Sequence, residues 1–143
     1  MHVLVDSDVA LNVYLHGVPG HTRQQPMESA QVIAASVRGR IHAYLTPTAY
    51  SNTYYIMHKV LSLADTNASA ADLLSAMDIL GQDERTFRQA LASGWADVED
   101  AGQYFAAKSD PRITHLCTTN VRHFKKATGI KVVTPAQLLA LLK

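Results

Sequence analysis

Short apolar runs that each end on a helix-starting residue constrain this chain more than any other feature. HVLV (2–5) gives way to Asp6-Ser7-Asp8, RIHAYLTP (40–47) closes on Thr46-Pro47, and KVVT (131–134) runs into Thr134-Pro135. Apolar runs this short, bounded by polar residues or Pro, read as strands rather than helices. Asp, Ser and Thr satisfy the free N–H groups of a helix start, and Pro fits the first helical position because its missing N–H is not needed there. ITHLCTT (113–119) is a further strand, and Ile79-Leu80 a very short one that ends the Ala/Leu-rich helix DTNASAADLLSAMDIL (65–80). Helical spacing also marks helices over 10–15, 27–37, 83–93, 97–108 and 136–142, and one beginning at Pro47, while GVPGHTRQQP (17–26) reads as a loop.

Strands that alternate with helices must be joined by crossovers, so the expected class is α/β with a mainly parallel sheet covered on both faces. Open sheets of this kind bind ligands at the carboxyl ends of their strands. Asp6 closes the first strand and Asn120 lies just past ITHLCTT, which puts both on that rim.

The 143 residues, 48% hydrophobic and 17% charged, suit one globular domain over 1–143. A net charge of +1 provides no global field for a polyanion, so any such site must come from local clustering. The single Cys117 excludes an internal disulfide and Cys-rich zinc clusters. With no long apolar run and no signal-like leader, a soluble cytoplasmic protein without membrane contact is expected.

A second acidic knot lies in ADVEDAGQYFAA (96–107), with Asp97, Glu99 and Asp100 close together. On a helix, Val98, Ala101, Gly102 and Phe105 form the expected buried stripe. Asp97, Asp100 and Tyr104 share a neighbouring face, and Glu99 and Gln103 point elsewhere. Asp100 then borders the core, where a charge is costly unless a cation lies opposite. Helix capping is the competing explanation for Asp97, and equally for Asp8.

Between 108 and 131 the chain carries Lys108, Arg112, Arg122, Lys125, Lys126 and Lys131 against Asp110 alone. Arg122 and Lys125, just beyond Asn120, are candidate phosphate contacts; a solvated basic helix is the alternative. The seven His residues form no close pair of the HExxH kind. His42 and His115 fall in strands and read as buried or partly buried structural residues, whereas His123 lies near the rim and is the histidine placed to take part in a site there. Tyr50, Tyr54 and Tyr55 read as core and interface residues rather than base-stacking platforms.

Four blocks together resemble the PIN-domain family: VLVDSDVALNVYL, TPTAYSNTYYIMHKV (46–60), ADVEDAGQYFAA, and ITHLCTTNVRHFKKATGIKVVTPAQLLALL (113–142). The resemblance implies a three-layer α/β/α sandwich and a metal-dependent ribonuclease site, as in the VapC-type toxins of bacterial toxin–antitoxin pairs. Carried over by position, Asp6 and Asp100 match the first and third acids of the family. Asn52 stands where many members have Glu, and Asn120 where many have Asp. Asp8 replaces a usual Asn, and His123 occupies a position often acidic. The implied catalytic set is Asp6, Asn52, Asp100 and Asn120. One Mg²⁺ or Mn²⁺ would sit on Asp6 and Asp100, with Asp8, Asp97 and Glu99 as further candidate ligands; such ions favour carboxylate and water oxygens. RNA, an antitoxin protein and a second copy of the chain are the implied partners. The two neutral Asn residues also suit a rival reading, a PIN domain with weakened or lost catalysis that serves as a binding or scaffold module.

Overall fold

The computed structural model describes the whole chain, residues 1–143. Five strands, β1 (His2–Val5), β2 (His42–Leu45), β3 (Asp78–Ile79), β4 (Ile113–Cys117) and β5 (Lys131–Val133), form one sheet. Its order is β3-β2-β1-β4-β5 and every neighbouring pair is parallel. Seven helices surround it: α1 (Ser7–Tyr14), α2 (Pro26–Val37), α3 (Pro47–His58), α4 (Leu63–Ala76), α5 (Glu84–Ala92), α6 (Val98–Ser109) and α7 (Pro135–Leu141). The result is an α/β/α sandwich.

The helix starts follow from side chains that accept backbone N–H groups. Thr46 Oγ1 accepts from Ala49 N at 3.2 Å, while Asp83 with Thr86 and Thr134 with Gln137 form reciprocal capping boxes. Alternating side chains then sort the strands into two cores. Val3, Val5, Ala43, Leu45 and Cys117 pack with residues of α1, α2, α3, α4 and α7. Leu4, Tyr44, Ile113 and Leu116 pack on the other face with Tyr104, Ala106 and Ala107 of α6. Ile113 and Leu116 share a face despite their spacing because the β1–β4 register skips Thr114.

This order builds the sheet from its centre. The chain starts at β1, steps outward through β2 to β3, then crosses back to place β4 on the opposite side of β1. Right-handed crossovers running in opposite directions leave their helices on opposite faces. A crevice therefore opens where β1 and β4 part, at their carboxyl ends.

His115 is buried, as expected of a strand residue, but His42 is exposed. It begins β2 at the uncovered amino rim of the sheet, where it stacks on His2 at 5.0 Å and Tyr44 at 4.9 Å and meets Asp78 at 2.6 Å. No helix is long and apolar enough to cross a membrane.

Candidate functional site

Asp6 is the first residue past β1 and is fixed from several directions. Its N–H continues the β1–β4 ladder to the Cys117 carbonyl at 2.9 Å. Its Oδ1 accepts from Ser7 N at 2.7 Å, so Asp6, rather than Asp8, caps α1. Oδ1 also accepts from Gln103 Nε2 at 2.9 Å, and Oδ2 from Thr118 Oγ1 at 2.9 Å. The residue is only 5% exposed.

Asp8, freed from capping, holds the turn after β4. Its Oδ2 accepts from Thr119 N at 2.8 Å, Asn120 Nδ2 at 3.1 Å, Thr118 Oγ1 at 3.3 Å and the Thr119 hydroxyl. Asn120 thereby enters the site through Asp8. Asp8 Oδ1 is buried with no donor facing it.

The third group comes from α6. Asp97 caps that helix, accepting from Glu99 N at 2.8 Å and Asp100 N at 3.1 Å, as capping chemistry predicts. One ligand oxygen each from Asp97, Glu99 and Asp100 lie within 4.8 Å of one another. Here the helical reading of the sequence needs correction. Glu99 does not point away: Gln103 Nε2 donates to Glu99 Oε1 at 3.0 Å while also donating to Asp6, so Gln103 ties α6 to β1. Val98, expected in the buried stripe, is 44% exposed. The reason is that α6 is covered by the sheet on one side and by α5 on another. A methyl group on Gly102 would stand 3.3 Å from Gln82 Nε2 and 3.7 Å from Phe87, which shows how close α5 comes. A helix enclosed on most of its circumference has no single buried stripe. Gln103, wholly buried, is the residue that sequence reasoning missed; its signal was a Gln among small apolar residues, four places after Glu99.

The electrostatics follow from crowding in a dry place. Burial and the neighbouring Asp8 carboxylate raise the Asp6 carboxyl to about 7, against the hydrogen bonds from Gln103 and Thr118. Burial, with Asp6, Asp100 and Asp97 nearby, lifts Glu99 to about 7. Burial and Asp97 lift Asp100 to about 6, with His123 opposing. His123 Nδ1, 3.4 Å from Asp100 Oδ2, is the basic nitrogen within ion-pair reach of these acids.

The residues present suit a divalent cation. Two buried acceptor oxygens, Asp8 Oδ1 and Gln103 Oε1, lack donors, and the surrounding carboxylates are the oxygen donors that hard cations take. A buried acceptor without a donor is costly, and a cation or its water removes that cost.

The other candidates separate. Asn52 lies half-buried in the second turn of α3, and its amide is hydrogen-bonded to none of these acids. Arg122 and Lys125 line a cleft of about 630 Å³ whose wall also includes Asp97 and Asp100. Arg112 pairs instead with Asp110 just before β4, and Lys131 begins β5, both at the far rim. Tyr50 and Tyr54 donate to Ala70 O and Asn67 Oδ1 of α4, whereas Tyr55 is exposed beneath Lys59.

No curated protein sequence matches this chain significantly. Among solved structures, VapBC2 from Rickettsia felis, crystallised with a DNA fragment from its promoter, superposes with a TM-score of 0.65 at 11% identity. The match covers 94% of this chain and 98% of that one. PAE2754 from Pyrobaculum aerophilum superposes with a TM-score of 0.64 at 16% identity, covering 99% of this chain and 89% of that one. Identities this low speak to the fold alone. The sequence profile of the PIN domain matches residues 2–122, from the first residue of β1 through Arg122, and so includes every acid of the cluster. The chain belongs to the PIN domain family.

Proposed function

We propose that this one-domain protein is a metal-dependent endoribonuclease that hydrolyses RNA phosphodiester bonds, working as the VapC-type toxin of a toxin–antitoxin pair. One observation carries the reading: acids from two chain segments, Asp6 and Asp8 after β1 and Asp97, Glu99 and Asp100 at the start of α6, meet at the β1–β4 crevice, where Asp8 Oδ1 and Gln103 Oε1 are buried without donors. PIN-family membership and the fold likeness to VapBC2 of Rickettsia felis support it. A small antitoxin protein and a second copy of the chain are the partners that go with this reading.

Asp6 and Asp100 would hold one Mg²⁺ or Mn²⁺, with Asp8 Oδ1 and Glu99 as further oxygens near it. A bound divalent ion supplies an activated water and neutralises charge on the phosphate. The chain's own residues do the rest. Gln103 fixes the separation of Asp6 and Glu99 through its two N–H bonds, and His123 steadies Asp100. Asn120 closes the turn over Asp8. Arg122 and Lys125, on the cleft that borders Asp100, receive the phosphates of the strand.

The second reading, a binding or scaffold module, is favoured by Asn52, a neutral residue whose amide is hydrogen-bonded to no acid of the cluster. RNA cleavage with Mn²⁺ or Mg²⁺ separates the two. Wild type is expected to cleave, and Asp6→Asn and Asp100→Asn to lose more than about 100-fold, the usual scale for removing a charge-stabilising group. Three indistinguishable proteins would sink the enzyme reading. A gene for a small DNA-binding protein beside this one would support the toxin assignment.

A further inference from the structure

The cleft beside the acids has one wall that the nuclease reading does not use. Trp95, the chain's single tryptophan, lines it together with Gly94, Arg122, Lys125 and Lys126. The indole is half-buried and held rigidly. It stacks on Tyr104 at 5.0 Å with an interplanar angle of 20°, and meets Phe124 edge-on at 5.9 Å. Tyr104 is itself fixed by donating to the Thr128 carbonyl at 2.9 Å. The loop that carries Trp95 is tied down by two bonds just before and at the tryptophan. Lys126 Nζ donates to the Gly94 carbonyl at 2.8 Å, and Trp95 N donates to Ser93 Oγ at 3.2 Å. Gly94 sits at φ +73°, a conformation that favours glycine, and this sets the turn presenting the indole.

A preorganised aromatic surface beside exposed cations is the arrangement that receives unpaired bases. The ring stacks on any base, and the cations follow the backbone. At about 630 Å³ the cleft falls within the range of about 300–1,000 Å³ typical of ligand sites. The neutral base belongs against the Trp95 ring, which can stack it, and the phosphates against Arg122 and Lys125, whose charge attracts them.

Resting on the nuclease reading of the neighbouring acids, we infer that this cleft is a nucleotide subsite in which Trp95 stacks an unpaired base of single-stranded RNA next to the scissile phosphate. The enzyme therefore requires an unpaired nucleotide at that position, and duplex RNA, whose bases already stack on one another, does not fill it.

The lone tryptophan makes the test direct. A short single-stranded oligoribonucleotide is titrated into the Asp6→Asn protein with Mn²⁺ present, reading Trp95 fluorescence; Asp6 is outside this cleft. Saturable quenching is expected, with none from the same sequence as a blunt duplex. Steady-state cleavage by Trp95→Ala and Trp95→Phe is the second arm. The Ala variant is expected to raise KM by about tenfold with kcat within about twofold, and the Phe variant, which keeps an aromatic face, to restore KM. If the Ala variant does not fold, the fluorescence arm and the Phe variant decide. Cleavage by wild type with no fluorescence response, or with KM unchanged in a folded Trp95→Ala, overturns the subsite and leaves the nuclease standing. Equal quenching by duplex and single strand overturns stacking as well. Quenching without cleavage by wild type keeps the subsite and removes the nuclease, and neither signal removes both.

Discussion

At the amino ends of the strands, Arg112 lies 2.6 Å from Asp110 and His42 lies 2.6 Å from Asp78. At the carboxyl ends of the same sheet, Asp6, Asp8, Asp97, Glu99 and Asp100 share one nearby basic nitrogen, on His123. The consequences are opposite. Hydrogen bonds from Arg112 hold the Asp110 carboxyl down at about 2, whereas burial and mutual repulsion push Asp6 and Glu99 up to about 7. Carboxylates at the first rim are satisfied within the chain. Those at the second crowd one another, with Asp6 and Asp100 buried, and Asp8 Oδ1 has no donor within the chain. A rim that costs the fold stability while holding its geometry has the character of a binding site.

Adding a divalent cation should produce the largest change. Mn²⁺ at about 100 times its Kd would stabilise the folded chain by about 2.7 kcal/mol, a rise in Tm of roughly 10 °C for a chain of this size. Differential scanning with and without EDTA measures it. Asp100→Asn should abolish the rise and Asp110→Asn should leave it intact. An equal rise in both variants would place the ion elsewhere and erase the distinction between the rims.

Gln103 is the next place to press. Its amide separates Asp6 from Glu99 and favours their charged forms. Gln103→Leu keeps the bulk but removes both N–H bonds and one of the two donorless oxygens. Groups that orient metal ligands are typically worth 10- to 100-fold, so Mn²⁺ affinity by calorimetry should fall by about tenfold. Unchanged affinity would reduce Gln103 to packing.

What the sequence disclosed divides along the same line. The strands, the Thr-Pro helix starts and Asp6 at the end of β1 were legible because each is set by neighbours within a few residues. Asp100 at the core border was legible too, since it needed only helical spacing. Gln103 and the inward turn of Glu99 were not, because they depend on α5 and the sheet enclosing α6 from two sides, and one strand of text carries no sign of that. Asp8 was left open between helix cap and ligand for a related reason. Local chemistry allows it to cap α1, yet the partners that claim it, Thr118, Thr119 and Asn120, come from more than a hundred residues away. His42 failed in the opposite sense, since a strand position predicts burial only where a helix covers it.

The rims should also respond to pH with opposite signs. Asp6, Glu99 and Asp100 have carboxyls raised above their unfolded values of about 4. Their protonated forms favour the fold, so that contribution is complete below about pH 4 and is lost as pH climbs through 6 and 7. Asp8, Asp97 and His123 face these groups, with Arg122 and Lys125 beyond. Metal-free protein should thus melt lower at about pH 8 than at about pH 5, and added Mn²⁺, which needs the ionised acids, should reverse the order. Asp110 works the other way: its contribution is present above about pH 4 and disappears only as pH falls through about 2. A metal-free Tm that rises steadily from about pH 5 to about pH 8 would contradict the crowding at the acidic rim.

The smallest effect gives the cleanest contrast, because one substitution can be made at both rims. Asp110→Asn removes a charge that accepts from Arg112 Nε at 3.0 Å and Nη2 at 2.6 Å, and weakens the bond from Arg112 N at 3.0 Å. The Arg112 side chain is 61% exposed, so solvent screens the pair and the loss should be small. Asp100→Asn removes a charge from among Asp97, Glu99, Asp6 and Asp8, and the amide it introduces can donate to one of them. In metal-free protein at about pH 8 it should stabilise, by roughly the same amount, because relieving a like-charge neighbour is worth what a favourable pair is worth at comparable exposure. Chemical denaturation of the two variants beside wild type, with EDTA throughout, measures both. Opposite signs are the expected result. If Asp100→Asn destabilises the metal-free chain as Asp110→Asn does, its carboxylate is held by the fold itself, through His123, and the acidic rim is built like the other one.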